Sequence, residues 1–272
     1  DSTTGTITVN PDEDIWFLDS NGTGIYSSEN TASGEYSIAS GFQTEASGNF
    51  STAMGSNTIA SGNQSTAIGT GNSASGDYSI SIGNDNTSAE GAFSLAMGIG
   101  TLASGNYSTT MGYNTTASGI YSTAMGEGTI ASGEGSTSTG LGSIANGGYS
   151  TAMGANTTAS GFASTALGQG TTASGTYSTA MGINTTATKQ GSVAMGADTV
   201  ADGQEASAFG RATLASGAIS TAMGLGTTAS ANYSTATGYN TTSSGVASTA
   251  MGDNTTASGF ASTSIGRATL AS

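Results

Sequence analysis

The chain has 272 residues, no cysteine, no histidine, a single proline (Pro11) and a formal net charge of −14 at pH 7. The missing residue types exclude disulfide frameworks, thiolate metal sites, cysteine nucleophiles and histidine-based triads. Three basic residues (Lys189, Arg211, Arg267) against seventeen acidic ones exclude an electrostatic nucleic-acid surface and disfavour anionic membranes.

Residues 1–27 do not repeat. Thr6, Ile7, Thr8 and Val9 alternate like a strand, and Ile15, Trp16, Phe17 and Leu18 form a compact apolar run between acidic residues. One reading is an N-terminal cap, which a repeat protein needs because its last strands are open edges. The other is an intersubunit joint, in which this run covers the open end of the next assembly and the protein polymerises head to tail. The acidic spacing from Asp19 to Thr23 lacks the downstream bidentate Glu of a calcium loop and reads as a tight turn.

Residues 28–272 form the second region. Here glycine falls every seven residues, in two interleaved series. One runs through Gly41, Gly55, Gly69 and Gly83 and, after one extra residue between Asn84 and Gly91, from Gly98 to Gly266. The other runs from Gly34 through Gly91 and Gly105 to Gly259, with Lys189 and Ala231 standing in for glycine. A fixed short period means one structural unit copied along an axis. The unit is clearest in 106–119, NYSTTMG then YNTTASG. Each half alternates like a strand and ends on a glycine that lets the chain turn, so Gly105, Gly112, Gly119 and Gly126 are read as corners. Two short strands and two corners make one flat coil of a parallel β-roll, an all-β solenoid with 14-residue coils.

Alternation then assigns the faces. In the first half Tyr107 and Met111 share one face, and Ser108 and Thr110 the other. In the second half Thr115 and Ala117 share a face opposite Asn114, Thr116 and Ser118. The Ser/Thr-plus-Ala faces are small enough to meet inside a thin roll. The Met/Tyr face then points outward. All nine methionines fall at one position of the unit: Met54, Met97, Met111, Met125, Met153, Met181, Met195, Met223 and Met251. Tyr107, Tyr121, Tyr149 and Tyr177 lead the aromatic position. At about 4.8 Å per strand such a stripe runs roughly 80 Å, more than a monomer should expose. These residues are therefore expected at a self-association interface, for which closed cyclic symmetry is the default. The inverted alternative makes the Met row the core and turns the small residues to water. Ser40, Thr139 and Thr237 interrupt the apolar row.

The recurrent G-x-x-S-x-A-x-G, as in Gly147 to Gly154 (GGYSTAMG), resembles the head repeats of trimeric autotransporter adhesins, the YadA-like heads. The resemblance covers about residues 28–272. It implies a left-handed parallel β-roll, a homotrimer around one axis, an outer-surface location and adhesion to host matrix or other cells. Heptads and a terminal barrel strand are not seen in the chain, and similar rolls also occur in phage tail fibres.

Asp198, Asp202 and Glu205 would gather carboxylates at one level, although acidic residues here mostly solubilise. Asn114, Asn156, Asn184, Asn240 and Asn254 lie in Asn-x-Thr sequons on the solvent side and are candidate glycan attachment points. The outward Thr row that includes Thr116, Thr158 and Thr256 suggests an ice-binding face, but Ile59, Leu102 and Ile130 break it. The chain begins at Asp1 and ends at Ser272, one residue short of a full unit, and reads as processed or as part of a longer protein. The expectation is a non-enzymatic, cofactor-free rod, extracellular or at the cell surface, without nucleic-acid binding or direct membrane insertion. It is either the head of a surface adhesin or fibre, or the subunit of a head-to-tail filament. Its partners are further copies of itself and matrix, cell-surface or glycan ligands.

Overall fold

A computed structural model describes residues 29–272, together with the strand backbones Phe17–Leu18 and Ile25–Tyr26. The remaining residues of 1–28, Ile15 and Trp16 among them, lie outside the described residues. Two compact units divide the chain, one ending at Ala117 and the other beginning at Ser118.

Both units are built the same way. Each coil holds a long strand of five residues and a short one of two, and each strand pairs in parallel with its counterpart in the next coil. In the first unit Thr52–Ser56 pairs with Thr66–Thr70, setting Ala53 against Ala67 and Gly55 against Gly69. In the second, Thr151–Ala155 pairs with Thr165–Gln169, setting Met153 against Leu167 and Gly154 against Gly168. Short strands such as Ile144–Ala145 and Thr158–Ala159 stack likewise. Every residue of the unit therefore sits over its own equivalent one coil away.

The interior is made of small side chains. Ala152, Ala159, Ala166 and Ala173 are 0% exposed and belong to one buried cluster. Ser and Thr complete it: Ser150 and Thr157 are wholly buried. Some hydroxyls bond to backbone, as Ser122 Oγ donates to Gly119 O at 2.7 Å and Thr87 Oγ1 to Gly98 O at 3.0 Å. Many others, including those of Ser108, Thr115 and Ser150, have no hydrogen-bond partner. Size thus accounts for more of these positions than bonding does. The inverted arrangement, with the Met row inside, is not the one adopted.

The glycines and the corners differ from expectation. Gly112 and Gly126 are not corners: they stand inside the long strands Thr109–Tyr113 and Thr123–Glu127, at φ +131° and +118°. Gly105 and Gly119 open the turn before the next long strand, yet their φ is not left-handed. Gly119 is glycine for want of space. A Cβ on Gly119 would overlap the carbonyl oxygen of Gly133 in the next coil. The left-handed corner residues are instead Tyr121 (φ 58°) on one side and Asn114 (φ 50°) on the other, with their equivalents in each coil.

Two other departures have local answers. The extra residue falls at Asp85 and Asn86, both left-handed (φ 48° and 61°), and register survives on both sides: Ile80 pairs with Leu95 and Ser88 with Leu102. At Lys189 and Ala231 φ is not left-handed, so the cost is steric. The N–H bond that glycine makes there to the next coil, as Gly161 N to Ala173 O at 3.3 Å, is missing at both. Lys189 N donates to Ser192 Oγ instead, at 3.2 Å.

Gly154→Ala adds a Cβ against the Gly168 backbone at φ +131°. It should lower stability by about 2 kcal/mol or more, read from thermal or denaturant unfolding followed by circular dichroism. Gly128→Asn is the control. Its φ is +61°, a Cβ there meets nothing within 4 Å, and asparagine fills that corner in other coils. Its stability should stay within about 0.5 kcal/mol of the parent.

Candidate functional site

A strand whose inner face is Ala and Ser must carry its bulk on the other side. The long strands do so as files along each unit. The first file is the methionine position, the third residue of the strand. Met111 is 40% exposed and Met153 45%; Met54, Met125, Met195, Met223 and Met251 are also exposed, while Met97 and Met181 are half-buried. The file is continued by Ile68, Leu167, Phe209 and Ile265, and Ser40, Thr139 and Thr237 thin it.

The second file is aromatic and lies at the left-handed corner before the strand. Tyr107, Tyr121, Tyr149 and Tyr177 all stand there, each about half exposed. In the first unit neighbouring rings lie face to face: Tyr78 and Phe93 at 4.6 Å and 2°, Phe93 and Tyr107 at 5.0 Å and 3°. In the second, Tyr149 meets Phe162 edge-on at 5.6 Å, and Phe162 meets Tyr177 at 5.9 Å. Phe162 stands one residue early, because its coil has Ala163 at the corner itself. The same exchange gives Val246 before Ala247 and Phe260 before Ala261.

A third file was missed in sequence. The long strand runs one residue past its glycine, so Phe42, Ile99, Tyr113, Leu141, Ile183, Leu225 and Tyr239 lie at its end, all exposed. Counting the glycine as a corner had assigned Tyr113 to the other half. The available signal was that large apolar residues recur directly after that glycine.

The family model described as YadA head domain repeat (2 copies) matches this chain from residue 32 to residue 272 in overlapping windows, omitting only 59, 87, 88 and 242. The chain belongs to the YadA head domain repeat family. No curated protein matches it.

In these YadA head repeats the other candidate residues are scattered rather than gathered. Among the described residues no three acidic side chains come together as a metal-binding group. Asp198 accepts from Asn184 Nδ2 at 3.3 Å, and Asp202 is bonded to Thr188. Asn114, Asn156, Asn184, Asn240 and Asn254 are exposed and left-handed, at the corner between the long strand and the short one. A left-handed corner favours Gly or Asn, which explains the asparagine on backbone grounds. The outward Thr row belongs to strands of only two residues, as in Thr116–Ala117, with Ile59, Ile130 and Leu214 exposed among them. Phe17–Leu18 pairs antiparallel with Ile25–Tyr26, which pairs in parallel with Ile38–Ala39 of the first full long strand.

One titrating group on the aromatic file is perturbed. Tyr149 donates its hydroxyl proton to Glu134 Oε1 at 3.1 Å, and that bond, reinforced by the carboxylate's charge, raises the phenol's pKa above its usual value. The neutral phenol is favoured in the folded chain, so the contribution to stability is present below the ordinary tyrosine pKa. It is lost as pH rises through the raised one. Glu134→Gln should return Tyr149 towards the ordinary value, followed by NMR titration of its ring ζ-carbon. An unchanged titration would show that the bond does not form in solution.

Proposed function

We propose that this chain is the rod-like head of a homotrimeric surface adhesin, held together through the outward face of its long strands and exposed outside the cell. The observation that carries this is the pairing of an interior of small side chains with files of Met, Tyr, Phe, Ile and Leu on the outside of the long strands and at the corner before them. Large apolar groups belong at contacts, and exposed patches of this extent mark interaction surfaces. The chain's own neighbours cannot cover them, because register stacks each one beside its like along the file.

The aromatic corner adds independent support. A left-handed backbone costs a bulky residue about 1–2 kcal/mol, and Gly135 and Gly191 take the same corner without that cost. Tyrosine or phenylalanine at most coils therefore implies a return from the side chain. Membership of the YadA head family favours three copies around one axis. The surfaces left outside such a trimer are the corner asparagines and the short-strand face, which are polar or mixed and suited to matrix, cell-surface or glycan ligands. The work proposed is binding and spacing, without catalysis.

A second reading is a filament joined through residues 1–27. The backbone pairing of Phe17–Leu18 with Ile25–Tyr26, and of Ile25–Tyr26 with the first long strand, favours an intrachain cap over a joint at that run. Long polymers of the native material in electron micrographs would favour the joint.

The trimer is tested by sedimentation. The parent should show about three times the 26.1 kDa chain mass. Met153→Asp combined with Met195→Asp should shift it to one chain, with the β spectrum kept at low temperature. A parent that sediments as a single chain would end the proposal. Adhesion is tested separately, by capture of the trimer on surfaces coated with extracellular-matrix protein against uncoated ones.

A further inference from the structure

Among the described residues the Asn-x-Ser/Thr sequences fall into two structural classes, and only one carries information. In the first class, Asn49, Asn63 and Asn106 follow the glycine of the turn, and Asn232 follows Ala231, which stands in for it. Their +2 residues, Ser51, Ser65, Ser108 and Ser234, belong to the wholly buried serine row. That row is serine in nearly every coil whatever precedes it, so any asparagine at this place makes a sequon automatically. These side chains are also engaged: Asn106 Oδ1 accepts from Ala92 N at 3.0 Å, and Asn232 Oδ1 from Ala218 N at 3.0 Å.

The second class is the left-handed corner after the long strand. Here the +2 residue is the outward member of the short strand, and the fold accepts many types there. Where the corner is Gln43, Gly100, Gly128, Gly142, Asp198, Ala212 or Ala268, the +2 residue is Glu45, Leu102, Ile130, Ile144, Val200, Leu214 or Leu270. Only Gly71, Gly170 and Gly226 precede a hydroxyl, at Ser73, Thr172 and Thr228. Where the corner is asparagine the pattern reverses. Asn86, Asn114, Asn156, Asn184, Asn240 and Asn254 all precede Ser or Thr, and Asn57 alone precedes Ile59.

Backbone geometry explains the asparagine but not the hydroxyl that accompanies it. No hydrogen bond joins either partner to the other: Asn184 and Asn254 bond instead to Asp198 and Asp253. Register does not explain it either, since Thr158 sits directly over Ile144, and Thr186 over Val200. The pair is kept together for a reason outside the fold, and Asn-x-Ser/Thr is the acceptor of N-linked sugar.

We propose that Asn114 in the first unit and Asn156, Asn184, Asn240 and Asn254 in the second are N-glycosylation sites, all at the same corner of the coil. The donor is a sugar activated as a glycosyl diphosphate and the catalyst an enzyme of the producing cell. The bond formed joins Nδ2 to the sugar C1, the C1–O bond to the diphosphate breaks, the diphosphate leaves, and Nδ2 loses one proton. The remaining amide N–H keeps a donor for contacts such as that of Asn254 with Asp253. The proposal stands apart from the trimer and adhesion readings, since it rests on a coupling within the single chain.

The test is peptide mass spectrometry of the native protein from the cells that make it, with two variants expressed in those cells. Sugar mass is expected on Asn156 and not on Asn106. Thr158→Ile imitates the neighbouring Ile144 and leaves the coil intact. It should abolish the modification at Asn156 and leave Asn184, Asn240 and Asn254 unchanged, whereas Thr158→Ser should retain it. A bare Asn156 in the native protein, sugar that persists in Thr158→Ile, or equal modification of Asn106 would each overturn the proposal.

Discussion

Everything in this molecule depends on the distance between one coil and the next. In-register parallel pairing fixes that distance at the spacing of hydrogen-bonded strands, about 4.8 Å, for side chains as well as backbone. Where the chain must pass its own copy most closely, at Gly119 or Gly154, no Cβ fits. Where the two strands of one coil face each other, the side chains are Ala, Ser and Thr, with Asn30 and Asn72 the larger exceptions. The fold therefore has the reverse of a globular economy: small residues form the core and large ones the exterior. Burying an alanine contributes far less than burying a methionine or tyrosine, so the single chain forgoes most of its hydrophobic potential. Association through the outer files would recover it, and would make stability depend on protomer concentration.

The same spacing shapes the corners. A chain that reverses within three or four residues needs left-handed backbone, and each coil uses it twice outside its strand glycine. At one corner asparagine and glycine share the work, as their backbone preferences predict. At the other, tyrosine and phenylalanine work against preference, and their rings meet the rings of adjacent coils. Stacked aromatic pairs contribute about 0.5–1.5 kcal/mol beyond area burial, of the same order as the backbone cost. The shift of the ring to Phe162 beside Ala163 shows which element is kept: bulk on that ridge persists while its attachment point moves.

How much of this was legible follows from what each residue does. The period, the two strands per coil and the inward Ala face were readable because alternation and spacing state them directly. Ala124 and Ala152 have no reason to be uniformly small unless enclosed. The glycines misled because two causes leave the same letter. Gly112, like its equivalent Gly154, is glycine for its φ as well as for space, and Gly119 for space alone, and sequence does not separate them. From that one confusion followed the misplaced corners and the loss of Tyr113 and Leu141 from the outer face. The left-handed tyrosines were beyond sequence reasoning, since nothing in their propensity suggests such a conformation.

The defects at Lys189 and Ala231 show how local the architecture is. Each removes one backbone bond to the next coil and leaves the strands on either side in register. In a solenoid each repeat contacts only its neighbours, so a fault is confined to one interface and does not propagate. The same independence governs the surface. Inner positions are held alike in every coil by the spacing, whereas the outward residue of the short strand ranges over Thr, Ser, Ile, Leu, Val and Glu without effect on its neighbours. A face that the fold leaves so free can be altered coil by coil. Any preference found there, such as the hydroxyl that follows a corner asparagine, must then be imposed by something other than the fold.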